Sequence, residues 1–464
     1  MNSAEYSEHH GRWLAAAPIG LWAAAIAVAP SLTAKALLAA PAVLVPLTWW
    51  TLHRPARWVA LFFAAAWLLP PLPVRMGDSG PHVCLFFAAL GLFSGLLWLP
   101  RWRIAPTAPA AALTTLFGVM LASVALAAIH SGAAVAAGSL ARVALFGIPV
   151  YVFFFTAYGP GSPEGLSHVR ILFWIAAASA LFACVDFYFQ FPAPAGYGPQ
   201  FVWLDSGVYR RAQGVFYEAS TLGNLCAFFL VMIAVAWSRP RAEAPVGRIE
   251  LAAGGVVFFA ALVLSYSRGS LINVLVALAM LAWLNRRRIR LLSAAPILAA
   301  CVLAAAFAMW KVFPAFAEIY WLRLSNAQYF FSATEGVLSG RVASWRMLAA
   351  WIAANPWNAL IGVGYKTLPY NDYLGVPVVA DNMYLSLLVE TGIAGLAAFL
   401  WLNVAILRAA ARASCASSSR TSFFGAWMLC FWAGQMVQML SGDLFTYWRV
   451  LPVYFWVLAL AVRV

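Results

Sequence analysis

Four arginines of this chain, Arg210, Arg211, Arg268 and Arg341, stand outside its short basic loops, close to Gly214, Gly269 and Gly340. A guanidinium fork binds phosphate oxygens in pairs, and glycine lets the backbone approach closely, so such a set suits a phosphate-bearing ligand. An arginine at the end of an apolar helix is also a plain anchor to lipid head groups, and for each residue alone both readings stay open. Asp381 stands directly before an apolar run, in "VVADNMYLSLLVETGIAGL" (378–396). There it is a helix cap, the partner of an arginine or a proton acceptor. Asn382 at the entrance of the run, with Glu218 and Tyr266 beside two of the arginines, completes the candidate set. Glu390 lies inside the run, where an unpaired charge is costly, and reads as structural.

All six histidines (His9, His10, His53, His82, His130 and His168) precede residue 169. A base acting in the second half of the chain must therefore be a carboxylate or a tyrosine. The sequence carries no Asp-x-Asp motif, no P-loop and no paired Cys/His zinc pattern, so neither a metal nor a cofactor is expected. Its six cysteines fall mainly in or beside apolar runs, at no metal-type spacing, and read as buried thiols.

The elements that must position these residues are apolar. Of 464 residues, 64% are hydrophobic and 9% charged. The apolar residues come in blocks of about 17 to 25, the length that crosses hydrocarbon. The blocks predict helices over 13–30, 34–50, 57–74, 82–99, 106–129, 139–158, 169–191, 217–237, 250–266, 269–284, 291–313, 382–407, 421–440 and 446–463. The fold class is all-α, a polytopic transmembrane helical bundle of about 12–14 spans.

Basic clusters such as "HRPAR" (53–57), "RWR" (101–103), "NRRRIR" (285–290) and "RAAARASCASSSR" (408–420) occupy alternate connections and belong in the cytoplasm. The net charge of +14 is then an orientation signal, reinforced by anionic lipid head groups, and not a nucleic-acid footprint. Both termini are expected in the cytoplasm, with an uncleaved first helix. Residues 192–216, 266–269 and 314–381 fall on the opposite face, together with the candidate residues. The chain reads as a single transmembrane domain over 1–464, and 314–381 as a large loop subdomain between two spans. Within that loop "GRVASWRMLAAWIAANP" has Val342, Trp345, Leu348, Trp351 and Ile352 at helical spacing and predicts a helix in the membrane interface, stopped by Pro356.

The succession "RAQGVFYEAS" (211–220), "SYSRGS" (265–270), "GRVASWRMLAAWIAANPWNALIGVGY" (340–365) and "DNMYLSLLVETGIAGL" (381–396) resembles the O-antigen ligase and O-antigen polymerase superfamily of bacterial membrane proteins. The resemblance runs from about residue 205 to 400, with the motifs in the family's order. It implies a metal-independent, inverting glycosyltransferase of the membrane-embedded class C type. Such an enzyme takes its glycan from undecaprenyl pyrophosphate at the periplasmic side of the bacterial inner membrane. It also implies that Arg211, Arg268 and Arg341, with Arg210 as a neighbour, hold the pyrophosphate, and that the 314–381 loop is periplasmic.

Ligases of the superfamily carry His-Asn where this chain has Asp381-Asn382, so the aspartate takes the place of the proposed base. That departure, with "FYEAS" where a Pro-Asn pair is common, favours polymerisation of O-antigen or exopolysaccharide repeat units. Ligation to lipid A core is the alternative. The acceptor is accordingly a lipid-linked glycan or lipid A core, and a chain-length regulator is a further candidate partner. A transporter or flippase of lipid-linked glycans is the reading from another class. It calls for two related halves and ionisable residues near the midplane, and the sequence shows neither.

Overall fold

The computed structural model describes residues 18–72, 81–160, 165–193, 197–204, 207–240, 243–286, 341–370 and 376–463, with short pieces between 310 and 325. The helix predicted over 291–313 and the loop residues 314–340 lie, apart from those pieces, outside the described residues. The described residues are helical almost throughout. Its elements are α1 (Pro18–Val28), α2 (Leu32–His53), α3 (Arg57–Leu68), α4 (Cys84–Leu97), α5 (Ala108–Tyr158), α6 (Gly165–Phe189) and α7 (Ala219–Trp237). They continue with α8 (Arg248–Leu264), α9 (Arg268–Leu284), α10 (Arg341–Ala354), α11 (Trp357–Leu360), α12 (Met383–Ser414), α13 (Ser419–Gln438) and α14 (Leu451–Val462).

Six of these helices are long and apolar enough to cross a membrane: α2, α5, α6, α7, α12 and α13. The bundle is all-α and polytopic. Fewer helices pass this test than the 12–14 spans expected, for two reasons. Helices α1, α3, α4, α9 and α14 are apolar but only 10–17 residues long. And α5, at 51 residues, is two helices joined at Gly132, whose φ of 82° is open to glycine and strained for other residues. Its arms fold back on each other, because the Thr107 hydroxyl meets the Tyr158 hydroxyl at 2.8 Å and Phe117 meets Phe146 at 6.4 Å between ring centres. The two spans predicted over 106–129 and 139–158 are these arms.

Helix α7 forms the centre, buried along most of its length, and α13 and α14 pack with it, while α2 lies at the periphery. The core is aromatic: Phe228 stacks among Trp427, Phe431 and Tyr454 with ring centres 4.4 to 4.8 Å apart. Inside it Asn224 of α7 and Asn273 of α9 both donate to the amide oxygens of Gln435 and Gln438 on α13, at 2.8 to 3.0 Å. Polar side chains in an apolar bundle find each other in this way and fix which helix faces meet.

Helix α12 is broken at Gly392 (φ 71°), so the run read from sequence as one span over 382–407 has a short first arm. A break frees carbonyls, and a neighbouring loop satisfies them: Val363 N–H donates to Val389 O at 3.1 Å and Gly364 N–H to Glu390 O at 2.8 Å. The fit leaves no room for a side chain, since a methyl group on Gly392 would sit 2.5 Å from the Leu360 oxygen. Helix α10 forms where the sequence predicted it, but its apolar stripe meets protein. Leu348 is fully buried, with Trp351 and Ile352 beside it, against Val363, Leu368, Val378, Ala380 and Val389. The Trp345 indole donates to Ala380 O at 2.6 Å.

Candidate active site

A two-stranded hairpin, β1 (Phe201–Leu204) and β2 (Gly207–Arg210), delivers the first two arginines. Arg211 continues the ladder, its N–H donating to Gln200 O at 2.9 Å. Successive residues of extended backbone face opposite sides, and the arginines part accordingly. Arg210 turns to Asp186 of α6, with Nη2 3.5 Å from Oδ2. Arg211 turns to the end of α8, where its Nε donates to Ser265 O at 2.9 Å. Expected as a neighbour of the phosphate-binding set, Arg210 is held in a different ion pair.

Arg211, Arg268 and Arg341 lie within electrostatic range of one another, although they come from segments far apart in sequence. Arg268 opens α9 just after the cap residue Ser267, at the end of a helix whose dipole favours anions. The turn before it is packed tightly on α7, because Gly223 leaves only enough space for Ser265, Ser267 and Ser270. Gln438 donates to the Ser270 hydroxyl at 3.3 Å, so the buried amide network of the core also braces this turn.

Asn382, not Asp381, caps α12: its side-chain oxygen accepts from the Tyr384 and Leu385 amides, each at 3.1 Å. Asp381 is thereby free of capping and pairs with Arg341, Nε to Oδ2 3.1 Å. The two side chains are 29% and 43% exposed, so a ligand can reach the pair and compete for it. Glu218 sits at the start of α7, but the first amide of that helix, Ala219 N–H, is taken by the Gln200 side chain at 2.8 Å. The Glu218 carboxylate accepts the Thr221 hydroxyl at 2.6 Å, and burial raises its pKa above the usual glutamate range. Tyr266 is buried between Ser265 and Ser267.

Tyr217, Tyr266, Lys366 and Asp381 all adopt left-handed backbone, with φ of 54°, 51°, 57° and 46°. Such residues are strained, and they gather at functional sites because a site demands one particular direction of the chain.

A cavity of about 1320 Å³ adjoins this cluster. Glu218, Lys366, Tyr447 and Arg449 form its polar end, and α4 with the second arm of α5 forms an apolar wall. The arginine trio does not line it. Tyr447 lines the cavity and is in electrostatic range of Glu218, Asp443, Asp381 and Arg211, and burial followed by these carboxylates keeps its phenol protonated.

Several residues here escaped the sequence reading. Lys366 is ion-paired with Asp443, which also caps a short 3-10 turn by accepting from Phe445 N–H at 3.0 Å. Burial alone would lower the Lys366 pKa, but Asp443 and Glu390 outweigh it and hold it above the ordinary value. Glu390 is buried against the Lys366 and Leu368 amides, and its Oε2 lacks a hydrogen-bond partner. Arg449 is buried and donates to the carbonyls of Val215 (2.9 Å) and Phe216 (2.5 Å), holding the turn between β2 and α7. A signal for Lys366 existed: Lys35, Lys311 and Lys366 are the chain's only lysines. Among the described residues no group of three or more His, Cys, Asp or Glu is arranged to hold a metal ion.

No curated protein matches the chain. The family model described as O-antigen ligase matches residues 253–400, which takes in Tyr266, Arg268, Arg341, Asp381 and Asn382 and leaves Arg211 and Glu218 outside. Two of the three clustered arginines and the Asp381–Arg341 pair thus lie in the part of the chain that is similar to the O-antigen ligase family.

Proposed function

We propose that the chain transfers a glycan from undecaprenyl pyrophosphate to a hydroxyl acceptor at the periplasmic side of the bacterial inner membrane, without a metal and with inversion at the anomeric carbon. The observation that carries this reading is the convergence of Arg211, Arg268 and Arg341 beside a large cavity. Of the three guanidinium groups Arg341 is paired with Asp381 and Arg211 lies in electrostatic range of Glu218, and the remaining excess of positive charge suits a departing pyrophosphate, whose negative charge grows as the glycosidic bond breaks. Asp381 takes the proton of the attacking hydroxyl. When pyrophosphate engages Arg341 the aspartate is released from its ion pair and becomes available as a base.

Polymerisation of O-antigen or exopolysaccharide repeats is the favoured outcome, because aspartate stands where the ligases carry histidine. Deletion of the gene followed by gel analysis of surface glycans tests it. Loss of long chains with single repeats still attached is expected. A bare core with accumulated lipid-linked polymer would assign the chain as a ligase joining glycan to lipid A core.

A further inference from the structure

The end of α6 carries an exposed aromatic face that the arginine cluster does not use. Outward residues of this span, Ile171, Trp174, Leu181 and Val185, recur at helical spacing and are 49%, 45%, 53% and 37% exposed, the stripe that a spanning helix shows to lipid. The stripe does not stop where the helix does. Tyr188 and Phe189 in the last turn are 79% and 64% exposed, and the chain then reverses at Gln190, whose φ of 54° is strained for a residue other than glycine. The Gln190 amide closes the helix on Asp186 O at 2.8 Å. The reversal lays Phe191 back over α6, its ring stacked on those of Phe182 and Phe189 with both centres 6.0 Å away. In water such a turn would hold a strained backbone only to display aromatic rings.

The hairpin extends the same surface. Phe201 is the cross-strand partner of Arg210 and Val208 lies two residues before Arg210, so all three share one face of the ribbon. Arg210 ties that face to α6 through Asp186, one turn before the helix ends, while Phe201 and Val208 remain 45% and 48% exposed. Arg211, next in the chain, turns the other way to the arginine cluster.

We propose that the last turn of α6 and this face of the hairpin are seated in the membrane, in the boundary between acyl chains and head groups of the leaflet opposite the basic loops. Three observations favour lipid over a protein partner. The face continues the lipid-facing stripe of a span, it is made of aromatic and aliphatic side chains of the kind found at membrane interfaces, and Arg210 upon it is already paired with Asp186. Seated in this way, the hairpin fixes the depth of Arg211 and holds it near the layer of lipid phosphates. The inference goes beyond the glycan-transfer reading and stands without it.

Nitroxide labels placed singly at Tyr188→Cys and Val208→Cys test the seat, in full-length protein with its six native cysteines replaced by alanine and reconstituted in phosphatidylethanolamine and phosphatidylglycerol bilayers. Oxygen concentrates in hydrocarbon and a nickel–EDDA complex stays in water, so at both sites collisions with oxygen should outnumber those with nickel. A label at either site that meets mainly nickel would place the face in water and overturn the proposal. A label that meets neither would mean that a second copy or another protein covers the face, and would overturn it equally. Because removal of buried cysteines can unfold the chain, p-benzoylphenylalanine at position 208 of the otherwise native sequence gives a second reading. Ultraviolet light should attach phospholipid to it, and irradiation that yields no phospholipid adduct would sink the assignment.

Discussion

At the scale of single residues, the site turns on what each charged group is paired with. Replacing Arg211, Arg268 or Arg341 by lysine keeps the charge and loses the fork, so transfer should fall by roughly tenfold or more while folded protein still accumulates. Lysine variants with full activity would reduce the arginines to membrane anchors. Because Asn382 caps α12, the two functions once open for Asp381 separate cleanly. Asp381→Asn should cost roughly 100-fold in turnover with donor affinity kept or improved, since Arg341 is released. Asn382→Ala should instead cost about 1 kcal/mol of stability, read as a lower melting temperature in detergent. The sequence made the arginines and Asp381 visible because charges are rare in an apolar chain. It could not reveal that Arg210 turns away from Arg211, or which arginine Asp381 pairs with, since both depend on chain direction set by the β hairpin and by left-handed backbone at Asp381.

At the scale of elements, length and composition located the helices and the break at Gly132, which falls between the spans predicted over 106–129 and 139–158, but missed the break at Gly392. A glycine inside a hydrophobic run carries no mark that tells a kink from a packing contact, and Gly392 breaks the geometry within what hydropathy reads as one apolar span over 382–407. The break at Gly392 matters most, because the 361–370 loop fills it and then presents Lys366 to the cavity. Gly392→Ala forces a methyl group against the Leu360 carbonyl and an unfavourable φ, and should destabilise the chain by about 1–3 kcal/mol. The loss should appear as a lowered melting temperature together with reduced transfer. The β hairpin was invisible in sequence for a different reason: strands of four residues leave no period to read.

At the scale of the whole molecule, the basic loops predict which face carries the site, and the structure supplies two reporters. Cys415 is exposed within the basic 408–420 connection, and Val376 is exposed in the segment leading to Asp381. In intact cells a Val376→Cys protein should react with an impermeant thiol reagent while Cys415 reacts only after permeabilisation, and the reverse pattern would invert the topology. The amide network and aromatic packing around α7 tie the bundle together, whereas the site hangs on four left-handed junctions at Tyr217, Tyr266, Lys366 and Asp381. Strained junctions relax at little cost to the aromatic core beneath them. On heating, glycan transfer should therefore be lost while the circular-dichroism spectrum is still that of an intact helical bundle, with the inactivation midpoint below the midpoint of helix loss.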